Sequence, residues 1–197
     1  QSGRNRTVLV QLAELLQAKV IDQGSRMNFP KTHYLSAPAT AVRTADVIIG
    51  MELSDFWATV NLYTDNNANG GHGINASNIK PDAKLISISS VDLLTKSNYQ
   101  DFQRFQVVDV QMAADAQATL PALIEAVRSA MPADKKDAIL KRGELQRKAY
   151  EEERVRTRTA AALGWNESPI STARLAMETF EVIKNEPWCL AVSDRIA

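Results

Sequence analysis

The chain has 197 residues, enough for one domain with a full core or for a domain of ordinary size plus part of a second. Lys plus Arg and Asp plus Glu both number 23, so the zero net charge disfavours nucleic acid and anionic membranes as partners. No apolar run has the length of a membrane span, QSGRNR is not a signal peptide, and the single cysteine, Cys189, excludes an internal disulfide. These features predict a cytoplasmic protein.

The first predicted element is a helix over residues 6–18, followed by a short strand at residues 19–22, KVID. The helix is indicated by apolar residues at helical spacing: Val8, Leu9, Leu12, Leu15 and Leu16. No strand precedes this helix, whereas an α/β sheet normally begins with one. We therefore expect the sequence to be a piece of a larger protein in which the first strand of the sheet is missing.

Three further strands are predicted along the chain. Residues 46–53, DVIIGMEL, are continuously apolar at their centre, as a parallel strand covered by helices on both faces requires. LISIS at residues 85–89 and residues 107–110 are the next two. Strands alternate with helical segments, so the predicted fold class is α/β, with an open, mostly parallel, Rossmann-like sheet and flanking helices.

An amphipathic helix follows the last of these strands. Asp115 lies near its amino end, where a carboxylate is favoured, and Pro121 falls in its first turn or so. Its buried stripe is predicted to consist of Leu120, Leu123, Ile124 and Val127. This helix completes a central α/β domain at residues 1–132.

Residues 133–168 change to a charge-rich, helix-favouring composition and predict an exposed connecting helix. Glu144 with Lys148 and Glu152 with Arg156 have the i,i+4 spacing of supporting ion pairs. The arginines could instead hold a phosphate, but the interspersed acids favour a solvated linker. Residues 169–197 then begin a second α/β domain, with a helix capped by Ser171 and a strand, WCLAVSD.

Sequence motifs for metal or nucleophilic chemistry are incomplete. Residues 65–70, DNNANG, match the first half of a calcium loop, but Ala76 stands where the bidentate carboxylate must be. His33 and His72 lie outside any zinc-ligand spacing, and no GxGxxG, P-loop or GxSxG pattern is present. We assign no metal site and no catalytic residue.

The loop at residues 23–35 is the best candidate for a binding site. It follows the predicted KVID strand, and ligands of open α/β sheets bind outside the carboxyl ends of the strands. Arg26 could meet a phosphate or carboxylate, and His33 could titrate near neutral pH. The candidate cofactor-binding residues are Gly24, Arg26, Asn28 and His33. The alternative is that Met27, Phe29 and Pro30 only plug a domain interface.

Several of these segments together resemble the central domain of thiamine-diphosphate-dependent enzymes of the acetolactate synthase, pyruvate decarboxylase and benzoylformate decarboxylase group. The resemblance covers about residues 3–131 and rests on KVID with FPKTH at residues 29–33, ADVIIG at residues 45–50, and VVDVQMAADAQATLPAL at residues 107–123. PISTARL and WCLAVSD resemble the entry into the family's carboxyl-terminal, diphosphate-binding domain.

The resemblance implies a parent enzyme, a lyase or transferase, that decarboxylates or ligates 2-oxo acids with thiamine diphosphate and magnesium. This chain contains neither the glutamate of the pyrimidine-binding domain nor the Gly-Asp-Gly and asparagine motif of the diphosphate-binding domain, so the fragment alone would hold neither cofactor. Its partners would be those two missing domains, within a homodimer or homotetramer. The family's central domain holds FAD or an adenine nucleotide in some members, and no residue pattern here decides that point.

Two other interpretations remain open. The chain could be a free-standing nucleotide-binding or regulatory α/β module, or a structural α/β domain without a ligand, because fold alone does not fix function. Tight binding of FAD, ADP or coenzyme A by the isolated chain would favour the module.

Overall fold

The computed structural model describes residues 2–23, 28–64, 74–90 and 105–188, with side chains described for residues 8–23, 28–62, 76–90 and 105–188. Contacts divide the chain into two compact units, Gln1–Gln146 and Arg147–Ala197. The calcium-loop segment at residues 65–70, Cys189 and most of the predicted final strand lie outside the described residues.

The chain is mixed α/β, with a small parallel sheet and flanking helices, as the alternation of elements predicts. The helices are α1 (Ser2–Leu16), a 3-10 helix (Ala39–Thr44), α2 (Phe56–Val60), α3 (Ala116–Ala130), α4 (Ala133–Ala162) and α5 (Thr172–Ile183). The strands are β1 (Val47–Met51), β2 (Asn61–Thr64), β3 (Ile74–Ser77), β4 (Lys84–Ile88) and β5 (Val110–Met112). No helix in the described part of the chain combines the length and apolarity needed to cross a membrane.

The parallel sheet has the order β1-β4-β5. Ile49 pairs with Ile86 across β1 and β4, and Ile86 pairs with Val110 across β4 and β5. Strands β2 and β3 form a separate antiparallel pair, with Leu62 opposite Ala76. The central strand of the described sheet is therefore β4, which comes between its two neighbours in sequence as well as in space.

Two predicted strands differ from the observed backbone, and one observed strand pair was not predicted. KVID contributes only one parallel bridge, from Val20 to Ser36, instead of a strand. The strand predicted at residues 107–110 is observed as β5, which starts at Val110. The Asp109 carboxylate accepts the Leu85 N–H at 2.9 Å, and the regular backbone pairing of β5 with β4 begins after Asp109. The β2–β3 pair was not predicted, since neither of its segments has a continuous apolar run.

The first core cluster lies between α1 and α3. Leu12, Leu120 and Ile124 are buried together, and partly buried apolar residues pack around them. The packed residues include the rest of both predicted stripes, Val8, Leu9, Leu15, Leu16, Leu123 and Val127. Asp115 is the N-cap of α3, with its side chain accepting the Ala118 N–H at 2.8 Å. The predicted helix after the last strand is thus confirmed, although Pro121 lies in its second turn.

A second contact fixes the end of α1 to the first part of α4. Arg142 donates hydrogen bonds to the carbonyls of Leu16 and Gln17, and Gln146 donates to the Gln17 carbonyl at 3.0 Å. These side chains satisfy carbonyls that every helix leaves without partners at its carboxyl end. Gly143 is buried in this contact. A glycine suits this position because a Cβ there would lie only 2.3 Å from Gln17 Oε1.

The second unit contains the exposed remainder of α4 and helix α5. The Ser171 side chain caps α5 by accepting the Arg174 N–H at 3.2 Å, as predicted. Arg156 forms its ion pair with Glu153, at i,i+3, and not with the predicted Glu152. The chain turns at Gly164 with φ of +68°, a conformation that favours glycine.

Candidate functional site

The structure describes two of the four predicted binding residues, Asn28 and His33. Gly24 and Arg26 lie outside the described residues. Asn28 is exposed, and His33 is half-buried against the second core cluster, which consists of Ala13, Phe29 and Leu35. Phe29, which the alternative interpretation placed in a domain interface, is 2% exposed and packs in that core.

Both ring nitrogens of His33 have partners within the protein. Nδ1 accepts the backbone N–H of Leu35 at 3.2 Å, so the proton of the neutral ring must be on Nε2, which lies 3.2 Å from Glu14 Oε1. The ring stacks on Tyr34, with centroids 4.7 Å apart, and meets the edge of Phe29 at 5.1 Å. In this arrangement His33 holds the loop against α1.

A cavity of about 580 Å³ lies beside this loop, lined by residues 21–23, residues 36–39 and Lys31. Backbone hydrogen bonds shape its wall, since Val20 N donates to Leu35 O at 2.8 Å and Ala37 N donates to Val20 O at 2.9 Å. The loop therefore runs beside the KVID segment, and the cavity is at the carboxyl end of that segment.

Asp22 is the unusual residue in the lining of this cavity. Both of its carboxylate oxygens are buried and have no hydrogen-bond partner among the described residues. A buried carboxylate without a donor is costly, so such groups are normally paired. Lys31, exposed in the same lining, forms no ion pair with any described residue. The cavity thus has one acidic and one basic side chain for which the described part of the chain supplies no partner.

A different carboxylate organises the carboxyl end of the parallel sheet. Glu52 directly follows β1, has a φ of +47° and donates its own N–H to Ile88 O at 3.0 Å. Its side chain accepts hydrogen bonds from Ser89 Oγ at 3.3 Å and from Ser90 Oγ at 3.0 Å. It also accepts the backbone N–H of Ala116 at 2.9 Å. One side chain therefore joins β1, the end of β4 and α3.

The amino end of α3 is occupied by the protein's own carboxylates. Glu52 takes the N–H of Ala116, and Asp115 takes the N–H of Ala118. Helix amino ends carry free N–H groups and partial positive charge, and for that reason they bind phosphates in many α/β proteins. At α3 two of those donors, the N–H groups of Ala116 and Ala118, are already satisfied by acidic side chains.

Charged pairs mark the amino ends of the strands. The hydrogen bond from Lys80 Nζ to Asp46 Oδ1, 2.6 Å long, lowers the pKa of Asp46 and raises that of Lys80. The bond from Lys84 Nζ to Asp109, 2.8 Å long, is the main reason that the pKa of Asp109 is lowered; the Leu85 N–H adds to it. Both pairs are solvent-accessible, so they are structural ion pairs of the surface.

Within the described ranges, no group of three or more His, Cys, Asp or Glu side chains is placed to hold a metal ion. Comparison with known proteins finds no family model, no curated protein and no solved structure that matches the chain.

Three polar residues of these two regions were not predicted as site residues from the sequence: Asp22, Lys31 and Glu52. A signal was present for two of them, because KVID ends at Asp22 and Glu52 directly follows the apolar run VIIGM. Acidic residues at the carboxyl ends of parallel strands stand where α/β proteins place ligands and helix amino ends.

Proposed function

We propose that this chain is the central α/β domain of a thiamine-diphosphate-dependent 2-oxo acid decarboxylase or carboligase of the acetolactate synthase type, together with the entry into the diphosphate-binding domain. Its role is structural: it positions the neighbouring domains within a homodimer or homotetramer in the cytoplasm. Two of the segments that carry the resemblance, at residues 45–50 and 107–123, contribute β1, β5 and α3 to the parallel sheet and its helices, which supports an α/β central domain.

The observation that carries this proposal is the contact between Glu52 and the amino end of α3. In a sheet built for nucleotide binding, the N–H groups of a helix amino end are free to meet phosphate. Here Glu52 uses one of those donors to connect β1 to α3, and Asp115 caps a second one from within the same helix end. A carboxyl edge held together by internal carboxylates supports a scaffolding role at this edge.

The described side chains do not fit the parent's cofactor. Thiamine diphosphate needs the pyrimidine-binding glutamate and the magnesium motif, and this sequence contains neither segment. In this proposal the catalytic steps belong to the flanking domains, and this chain contacts those domains and holds them in position.

Calorimetry on the 197-residue chain separates the scaffold from a free-standing nucleotide-binding module. We expect no measurable heat with thiamine diphosphate plus Mg²⁺, FAD, ADP or coenzyme A, and no turnover of pyruvate. Tight binding of any of the three nucleotides would favour the module instead. Sequencing the gene on both sides should give codons for a pyrimidine-binding domain before the segment and a diphosphate-binding domain after it.

A second experiment tests the scaffolding role in the full-length gene product. Glu52→Ala should lower the yield of assembled oligomer, measured by light scattering, while kcat per assembled active site stays unchanged. Glu125→Ala, at an exposed position of α3, is the matched control and should leave assembly as it is. A fall in kcat with normal assembly for Glu52→Ala would place Glu52 in the chemistry and contradict a purely structural role.

A further inference from the structure

The cavity beside the loop carries an inference that is independent of the proposed scaffolding role. Its volume of about 580 Å³ is in the range of small-molecule sites, and its lining combines apolar residues with a few polar ones. Ile21, Ala37 and Pro38 provide the apolar wall. The two ionic groups of the lining are Asp22 and Lys31.

Asp22 is the polar group that most needs a partner. Both carboxylate oxygens are buried without a hydrogen bond to any residue that the structure describes, and Asp22 lines the cavity. A neutral or cationic N–H donor that enters the cavity would supply the missing bonds, and a charged donor gives the stronger ones. Because the oxygens are covered in this conformation, binding includes a turn of the Asp22 side chain towards the cavity.

A metal ion is a poor match for this position. Magnesium and calcium bind six or more oxygens, of which one carboxylate supplies at most two. Within the described ranges no second or third His, Cys, Asp or Glu joins Asp22 in a metal-binding group. The exposed ammonium of Lys31 in the same lining further disfavours a bare divalent cation.

We propose that the cavity binds a small zwitterion of the α-amino acid type, with its ammonium group on Asp22, its carboxylate on Lys31 and its apolar side chain against the wall formed by Ile21, Ala37 and Pro38. This ligand is the simplest one that satisfies both unpaired charges at once. A lone amine leaves Lys31 without a partner, and a lone acid leaves Asp22 without one.

The test uses the 197-residue chain and three matched probes: L-norleucine, pentylamine, which lacks the carboxylate, and hexanoate, which lacks the ammonium. Titrations are followed by calorimetry and by the backbone amide resonances of Ile21 and Ser36. L-Norleucine should bind saturably and shift both resonances. Pentylamine and hexanoate should each bind about tenfold more weakly or worse, as the loss of a charged hydrogen-bond partner predicts.

Variants assign each charge to one end of the ligand. Asp22→Asn should weaken L-norleucine about tenfold or more and leave hexanoate unchanged, because hexanoate never uses Asp22. Lys31→Gln should weaken L-norleucine to the same degree and leave pentylamine unchanged. Asp82→Asn, at an exposed aspartate outside the lining, is the control and should bind like the parent chain.

The proposal is overturned if L-norleucine fails to saturate, if both truncated probes bind as well as L-norleucine, or if neither variant weakens it. Displacement of bound L-norleucine by the truncated probes only at higher concentration supports it. Binding of ADP at this cavity in preference to L-norleucine would also overturn the proposal and would identify the cavity as a nucleotide-binding site. If Asp22→Asn fails to fold, as judged by circular dichroism, the three probes on the parent chain still decide the outcome.

Discussion

The carboxylate of Glu52 accepts the backbone N–H of Ala116 at 2.9 Å and so ties the end of β1 to the first turn of α3 across 64 positions of sequence. The same side chain accepts from Ser89 and Ser90. Glu52 adopts a left-handed backbone conformation, which costs a non-glycine residue of order 1 kcal/mol and persists where the surroundings hold it. The hydrogen bonds of the side chain supply that restraint.

Glu52→Ala should lower the free energy of unfolding of the first unit by about 2–3 kcal/mol, because the buried Ala116 N–H loses its acceptor. Glu52→Gln keeps an acceptor oxygen and should cost about 1 kcal/mol. The measurement is urea denaturation followed by Trp57 fluorescence in a Trp165→Phe, Trp188→Phe background, so that only the first unit is observed. Equal losses for the two variants would show that the acceptor oxygen is not the important feature.

Gly143→Ala should destabilise the same unit by about 1–2 kcal/mol, despite the higher helix propensity of alanine. The added Cβ would lie 2.3–2.9 Å from three atoms of the Gln17 side chain, including Cγ. Gln17 cannot move without losing the hydrogen bond that its Oε1 accepts from the Tyr34 hydroxyl at 2.8 Å. Gln17→Ala in the Gly143→Ala background should recover part of the loss, and simple additivity of the two variants would contradict this overlap.

Stability should depend on pH through the two surface ion pairs. The pKa values of Asp46 and Asp109 are lowered in the folded chain, so their contribution is present above the ordinary value of 3.8 and is lost as the pH falls through the folded values. The pKa values of Lys80 and Lys84 are raised, so their contribution is present below 10.5 and is lost as the pH rises through the folded values. Between these limits the two pairs add no pH dependence.

Asp109→Asn isolates one pair. The fall in unfolding free energy below the ordinary aspartate range should become shallower in this variant, and the loss at high pH should shrink as well, since Lys84 no longer has its carboxylate. Asp137→Asn, at an exposed position of α4, serves as the control. If the unfolding free energy of Asp109→Asn fell as steeply at acid pH as that of the parent chain, the ion pair between Asp109 and Lys84 would not contribute to stability. High salt should reduce the difference between parent and variant.

The His33 ring should be the neutral tautomer with its proton on Nε2, because Nδ1 accepts the Leu35 N–H. Long-range proton–nitrogen NMR spectra above neutral pH should show Nδ1 as the unprotonated nitrogen. The resonances can be assigned with His72→Gln, which leaves His33 as the remaining histidine. A proton on Nδ1 would contradict the contact with Leu35 and would free the ring for a role outside the loop.

The periodic features of the chain were predictable and the irregular ones were not. Leu120 and Ile124 are buried as their helical spacing predicts, since a helix that packs on one face must repeat its apolar residues at that period. The Asp115 and Ser171 caps were predictable because a cap acts within its own helix turn.

The polar contacts depend on distances in space that the sequence does not encode locally. Glu52 meets Ala116, and Arg142 meets the carbonyl of Leu16 across 126 positions of sequence. Neither pair has a spacing rule. The predicted start of β5 was wrong for the same reason. The Leu85 N–H is bound by the side chain of Asp109, whereas a strand pattern assumes a backbone carbonyl as its partner.

The central position of β4 has a consequence for local opening. Its amide and carbonyl groups pair with β1 on one side and β5 on the other, so Ile86 and Ile88 are held from two directions. The amide hydrogens of these residues should exchange with deuterium only when the whole sheet separates. Amides on the outer edges of β1 and β5 should exchange through local fraying. Slow exchange confined to β4 would then report the cooperative free energy of the sheet directly.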